Sequence, residues 1–130
     1  MSKPVALVSS IVVGLQIAYM AGRSSMDPLA RSVTAAFASW VAGMAIGLLA
    51  WLLFASSAKA TDVQFTVDPV PLGTHGLMVL VGAGGLHLML TTVSPDMRDL
   101  IVGNPPLLFG AAGGVVGILT TPLPPYKGAK

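Results

Sequence analysis

The chain has 130 residues, 54% of them hydrophobic and only 9% charged, against the roughly 25% charged of an ordinary soluble domain. So few charges cannot clothe a surface that faces water on all sides, and the length suits one domain rather than two. Seven Lys and Arg against five acidic residues leave a net charge of +2, with the cations scattered from Lys3 to Lys130, so no field is concentrated for phosphates and a nucleic-acid partner is excluded.

The first apolar run, residues 4–22, is uncharged, and Gln16 and Tyr19 are its most polar members. As a helix it reaches roughly 28 Å, close to the bilayer core of about 30 Å. No A-x-A-like site follows it, so a retained first membrane helix is expected rather than a cleaved signal. The polar stretch "RSSMDPLARS" then reads as a short hairpin connection. The second run, residues 33–55, "VTAAFASWVAGMAIGLLAWLLFA", is the clearest membrane-crossing segment of the chain.

A longer polar loop is expected over residues 56–75, carrying Lys59, Asp62 and Asp68. Its "DVQFTV" core alternates apolar and polar residues, which permits a short strand or an extended loop. Residues 76–93 form a third apolar run whose only ionisable group is His87. "SPDMRD" reads as the next polar turn, with Ser94 or Asp96 placed to cap the helix after it. The last apolar stretch is split by Asn104, Pro105 and Pro106. Its clean part, residues 107–121, spans only roughly 22 Å as a helix, so it is either short and shielded by protein or begins with a kinked turn near Leu100. The tail, residues 122–130, is proline-rich, basic and expected to be extended.

These runs predict an all-α, polytopic membrane protein of about four transmembrane helices in a single membrane domain. Lipid is then its first partner. With four spans, Lys3, Lys59, Lys127 and Lys130 share one face and Arg23, Arg31 and Arg98 the other. That small imbalance leans both termini toward the cytoplasm.

Small residues recur at every fourth position: Ser10, Gly14, Ala18 and Gly22 in the first helix, Ala35, Ser39, Gly43 and Gly47 in the second. The fourth helix repeats the pattern with Gly110 and Gly114 and, in an offset register, Gly113 and Gly117. In lipid there is no hydrophobic drive between helices, so backbones brought close over such stripes supply the packing energy. The stripes are expected to satisfy one another within the chain, or else to face other subunits.

His87 follows Ala83 by one helical turn in "LVGAGGLHLML", and three readings compete for it. A small side chain one turn before an imidazole leaves room for a flat macrocycle. This A-x-x-x-H spacing resembles the pigment-binding helix of bacterial light-harvesting polypeptides, which would make His87 a ligand and Ala83 the residue giving space; a haem ligand needs similar room. Alternatively, an ionisable group at membrane depth marks a proton or substrate path. The third reading is a neutral imidazole hydrogen-bonded across helices, to Gln16, Tyr19 or a threonine. His75, near Asp68 at the water boundary, suggests a metal site, but two ligands are too few where zinc asks for at least three from the protein, and a solvated interfacial histidine is expected. Trp40, Trp51 and Tyr126 read as interfacial or interhelical aromatics.

No G-x-S-x-G, H-E-x-x-H or P-loop occurs, and all five Asp lie in connections, so catalysis is not expected. In size and hydropathy the chain resembles the small multidrug resistance proteins, a resemblance that implies a dimeric transporter; those proteins couple through a Glu in their first helix, and this chain has no Glu. The segment from Gly14 to Gly43, in its Gln, Arg and Gly positions, is also similar to the first hairpin of the wider drug/metabolite transporter superfamily. The expectation is therefore a non-catalytic structural or accessory subunit of a larger membrane assembly, for which respiratory and photosynthetic complexes are the commonest hosts. A small dimeric transporter is the alternative, and a polymerising shell or pilus subunit the third.

Overall fold

The computed structural model describes residues 3–57 and 69–121. Over these the chain is all-helical: α1 (Lys3–Gly22), α2 (Pro28–Ser57), α3 (Pro69–Val93), α4 (Pro95–Gly103) and α5 (Leu107–Leu119). Three helices are long and apolar enough to cross a membrane, and α4 with α5 forms a fourth candidate span bent by 74°. The protein is a polytopic α-helical membrane protein. The "DVQFTV" segment and the tail 122–130 lie outside the described residues.

Helix ends follow local chemistry. The Asp27 carboxylate accepts the Ala30 N–H at 2.7 Å and so caps α2, with Pro28 at the first helical position, where its missing N–H costs nothing. The same rule corrects the start of the third helix. The polar loop expected over 56–75 gives up its end to α3, which begins at Pro69 and holds Pro71 in its first turn, where proline is tolerated. The second helix likewise outruns its expected bounds of 33–55 at both ends. "SPDMRD" is not a turn but the start of α4: Ser94 accepts the Met97 N–H at 3.1 Å and Pro95 opens the helix. Asn104, Pro105 and Pro106 then break the chain before α5, so α5 is the short, partly shielded helix expected, while the bend falls at 104–106 and not near Leu100, which lies inside α4.

Contacts fix the topology. Gly110 of α5 lies on Gly14 of α1 and Gly114 on Ser10, so these helices run antiparallel. Gly113 lies on Ala36, Gly117 on Trp40 and Gly43, and Thr121 on Gly47, so α5 runs parallel to α2. α3 runs antiparallel to α2, with His87 against Ser32 and Gly76 against Trp40. The start of α1 and the end of α5 therefore share one end of the bundle. The connection from α1 to α2 and the end of α3 share the other.

Candidate functional site: a glycine-sealed core and a lateral groove

The small-residue stripes meet within the chain. A Cβ built at Gly14 runs into the Gly110 carbonyl oxygen, and one at Gly110 into the Gly14 carbonyl oxygen. Gly43 and Gly114, and Gly114 and Ser10, approach as closely. The offset register of α5 has a geometric purpose. At about 100° per residue, Gly113 and Gly117 lie about 60° around the helix from Gly110 and Gly114. Gly113 and Gly117 face α2, Gly110 faces α1, and Gly114 touches both. Ala18 and Ser39 are fully buried between them, and the Ser39 hydroxyl reaches toward the Gly14 carbonyl at 3.5 Å. At the stripe ends, Gly22 sits on the Pro105 ring and Gly47 on the Thr121 side chain. α1 and α2 thus each meet α5 backbone to backbone.

α3 is held differently. His87, only 5% exposed, shares a hydrogen bond from its Nδ1 with the Ser32 hydroxyl at 2.7 Å. Its ring lies tilted against Phe109 at 6.1 Å. Of the partners the sequence offers, Gln16 and Tyr19 are on the exposed face of α1, because the opposite face is occupied by α5; Thr91 instead donates to the His87 backbone carbonyl at 2.8 Å. By helical rise His87 lies about 9 Å from the end of α3, level with the second turn of α2. Ala83 is buried in an alanine cluster with Ala18, Ala21, Ala35, Ala36 and Phe109. The arrangement is that of an imidazole bonded across two helices near one end of the bundle.

Farther along α3, Gly76 rests on the Trp40 ring. The Trp40 indole N–H, in turn, donates to the Thr120 hydroxyl at 2.9 Å, and its ring packs on Phe37 with centroids 5.4 Å apart. Trp40 is thus an interhelical aromatic. Between α3 and α5 the helices stand apart, leaving a groove of about 320 Å³. Its lining is apolar, with Met78, Gly82, Ala83 and Leu86 from α3, Phe109, Gly113 and Val116 from α5, and Ala36 from α2. His75 and Thr120 line the same groove. Asp68, considered beside His75 in the sequence, lies outside the described residues.

The outer face of α1 carries one further feature. Gln16 is exposed, six residues before the end of α1 in a span that carries no charged side chain, and its amide finds no hydrogen bond among the described residues. No family model matches the chain, and no relative emerges among curated proteins or solved structures.

Proposed function

We propose that the protein is a non-catalytic structural subunit of a larger membrane assembly, joined to another chain through the outer face of α1. The observation that carries this reading is Gln16. A primary amide holds two donors and an acceptor, and at membrane depth it has no water to satisfy them. Side chains of this kind bridge helices in lipid, contributing about 0.6 to 2 kcal/mol per bond. α5 covers the opposite face of α1, and no described residue pairs with Gln16 on the outer face, which suits a partner supplied by another chain.

The sealed contact of α1, α2 and α5 supports the same reading, because a solute path through it requires parting backbones already in contact. The groove beside α3 is walled by apolar side chains, which suits neither ions nor polar solutes. An energy-transducing complex, respiratory or photosynthetic, is the host class favoured by base rates. The second reading, a small dimeric transporter, draws on the same residue, since Gln16 can pair with its own copy across a two-fold axis.

Native mass after gentle solubilisation, with visible absorbance, separates these. The proposal expects a single hetero-complex that Gln16→Leu dissociates while leaving the chain folded. A colourless homodimer favours the transporter, a homopolymer the shell or pilus subunit, and a wild-type monomer in lipid ends the proposal.

A further inference from the structure

We propose that the groove between α3 and α5 is a binding site for a single-chain amphiphile, a monoacyl lipid with a compact carboxyl or hydroxyl head. Polarity along the groove sets the occupant. Its only two polar side chains with hydrogen-bonding groups, His75 and Thr120, lie at one end, the end shared by the start of α3 and the end of α5. From there the lining is Met78, Gly82, Ala83, Phe109 and Val116, with nothing to pair a second polar group. A ligand polar at both ends, or an ion, is not matched; one with a single polar head and an apolar tail is.

Depth agrees with polarity. His75 lies in the early turns of α3, about 6 Å inside the start of its apolar span at Pro71, toward the bilayer boundary. Leu86 lies about 16 Å deeper along the same helix, a distance suited to an extended alkyl chain. The half-buried His75 imidazole makes no hydrogen bond among the described residues, and its ring nitrogens can bond a head. The Thr120 hydroxyl donates to the Val116 carbonyl at 2.7 Å and accepts from Trp40 at 2.9 Å. One lone pair remains for a donor on the head.

Volume also selects. The groove's volume of about 320 Å³ stands at the bottom of the range of ligand cavities, which runs from about 300 to 1,000 Å³. One alkyl chain is accommodated rather than the two of a phospholipid. A Cβ at Gly82 meets nothing within 4 Å, so the groove can be filled by substitution without disturbing the bundle.

The test is photolabelling of the full chain in phosphatidylcholine vesicles with a long-chain fatty acid carrying a photoreactive group on its tail, the labelled residues being read by mass spectrometry. The expected result is label concentrated on the groove segments of α3 and α5 and displaced by unlabelled fatty acid or fatty alcohol, but not by added phosphatidylcholine. Gly82→Leu is expected to reduce it at least tenfold, whereas Gly85→Leu, on the open face of the same helix, retains it. His75→Leu is expected to weaken displacement by the free acid several-fold without changing the helical content. Label spread evenly over all lipid-facing helices overturns the proposal, because it reports bulk lipid. So does label indifferent to Gly82→Leu, or a groove protected by a helix from a second copy or another subunit.

Discussion

α5 and α3 are both apolar helices packed on α2, yet they are held by opposite means. α5 presents glycine to two neighbours at once and comes so close that backbone meets backbone. α3 has glycines too, but Gly73, Gly82 and Gly85 face open space, with nothing within 4 Å of an added Cβ. It is attached by the Ser32–His87 hydrogen bond and the contacts of Ala83 and Gly76. A glycine in a membrane helix therefore does not announce a helix contact by itself. It does so when it recurs at fours and the facing helix answers in kind.

This contrast can be broken at several points. The largest effect is expected from Gly43→Val, which drives a branched side chain into the Gly114 carbonyl and the Gly117 backbone. A loss of about 3 kcal/mol or more, read as failure to accumulate folded protein in membranes or as a collapsed melting temperature in detergent, is the expected outcome. Next in size is the attachment of α3. Ser32→Ala leaves the His87 imidazole buried without its partner and should cost about 0.6 to 2 kcal/mol. Cysteine accessibility on α3, in a chain that has no cysteine of its own, should rise while the α1/α2/α5 contact is unchanged. If His87→Phe leaves assembly, visible absorbance and activity all unchanged, the macrocycle and proton-path readings of that residue are both lost.

A smaller loss, about 0.6 kcal/mol, is expected for Trp40→Phe, which removes the hydrogen bond to Thr120 while keeping the ring beside Phe37 and Gly76. Tryptophan fluorescence from the remaining Trp51 and a thermal melt in the same detergent measure it. No change in stability would mean that the indole N–H finds another acceptor.

Much of this architecture is legible in the sequence. The apolar runs mark the spans, and small residues at every fourth position mark the sealed contacts, down to the two registers of α5. Which stripe meets which helix is not legible, because Gly14, Gly43 and Gly110 are chemically interchangeable and only the folded topology pairs them. The partner of His87 is obscured for a related reason. Ser32 stands in the second turn of α2, ahead of the cleanest apolar run, while Gln16 and Tyr19 are the conspicuous polar groups and turn outward once α5 takes the other face of α1.

Proline and charge hide two helix boundaries. Pro69 and Pro71 suggest loop because proline breaks helix interiors, although a first turn admits it. Asp96, Arg98 and Asp99 suggest a turn, although Ser94 and Pro95 start a helix there. The groove has no sequence signal at all: it exists because α3 stands away from α5, a relation between two helices rather than a pattern in either.

The most direct test places the same methyl group on both sides of the contrast. Gly110→Ala adds a Cβ against the Gly14 carbonyl, whereas Gly85→Ala adds one where nothing lies within 4 Å. Thermal unfolding of the two variants in one detergent should show Gly110→Ala destabilised by about 1 to 3 kcal/mol and Gly85→Ala neutral or stabilised by up to about 1 kcal/mol through helix propensity. Equal effects of the two methyls, or the reverse order, would contradict a core sealed by α5 and a third helix that stands apart.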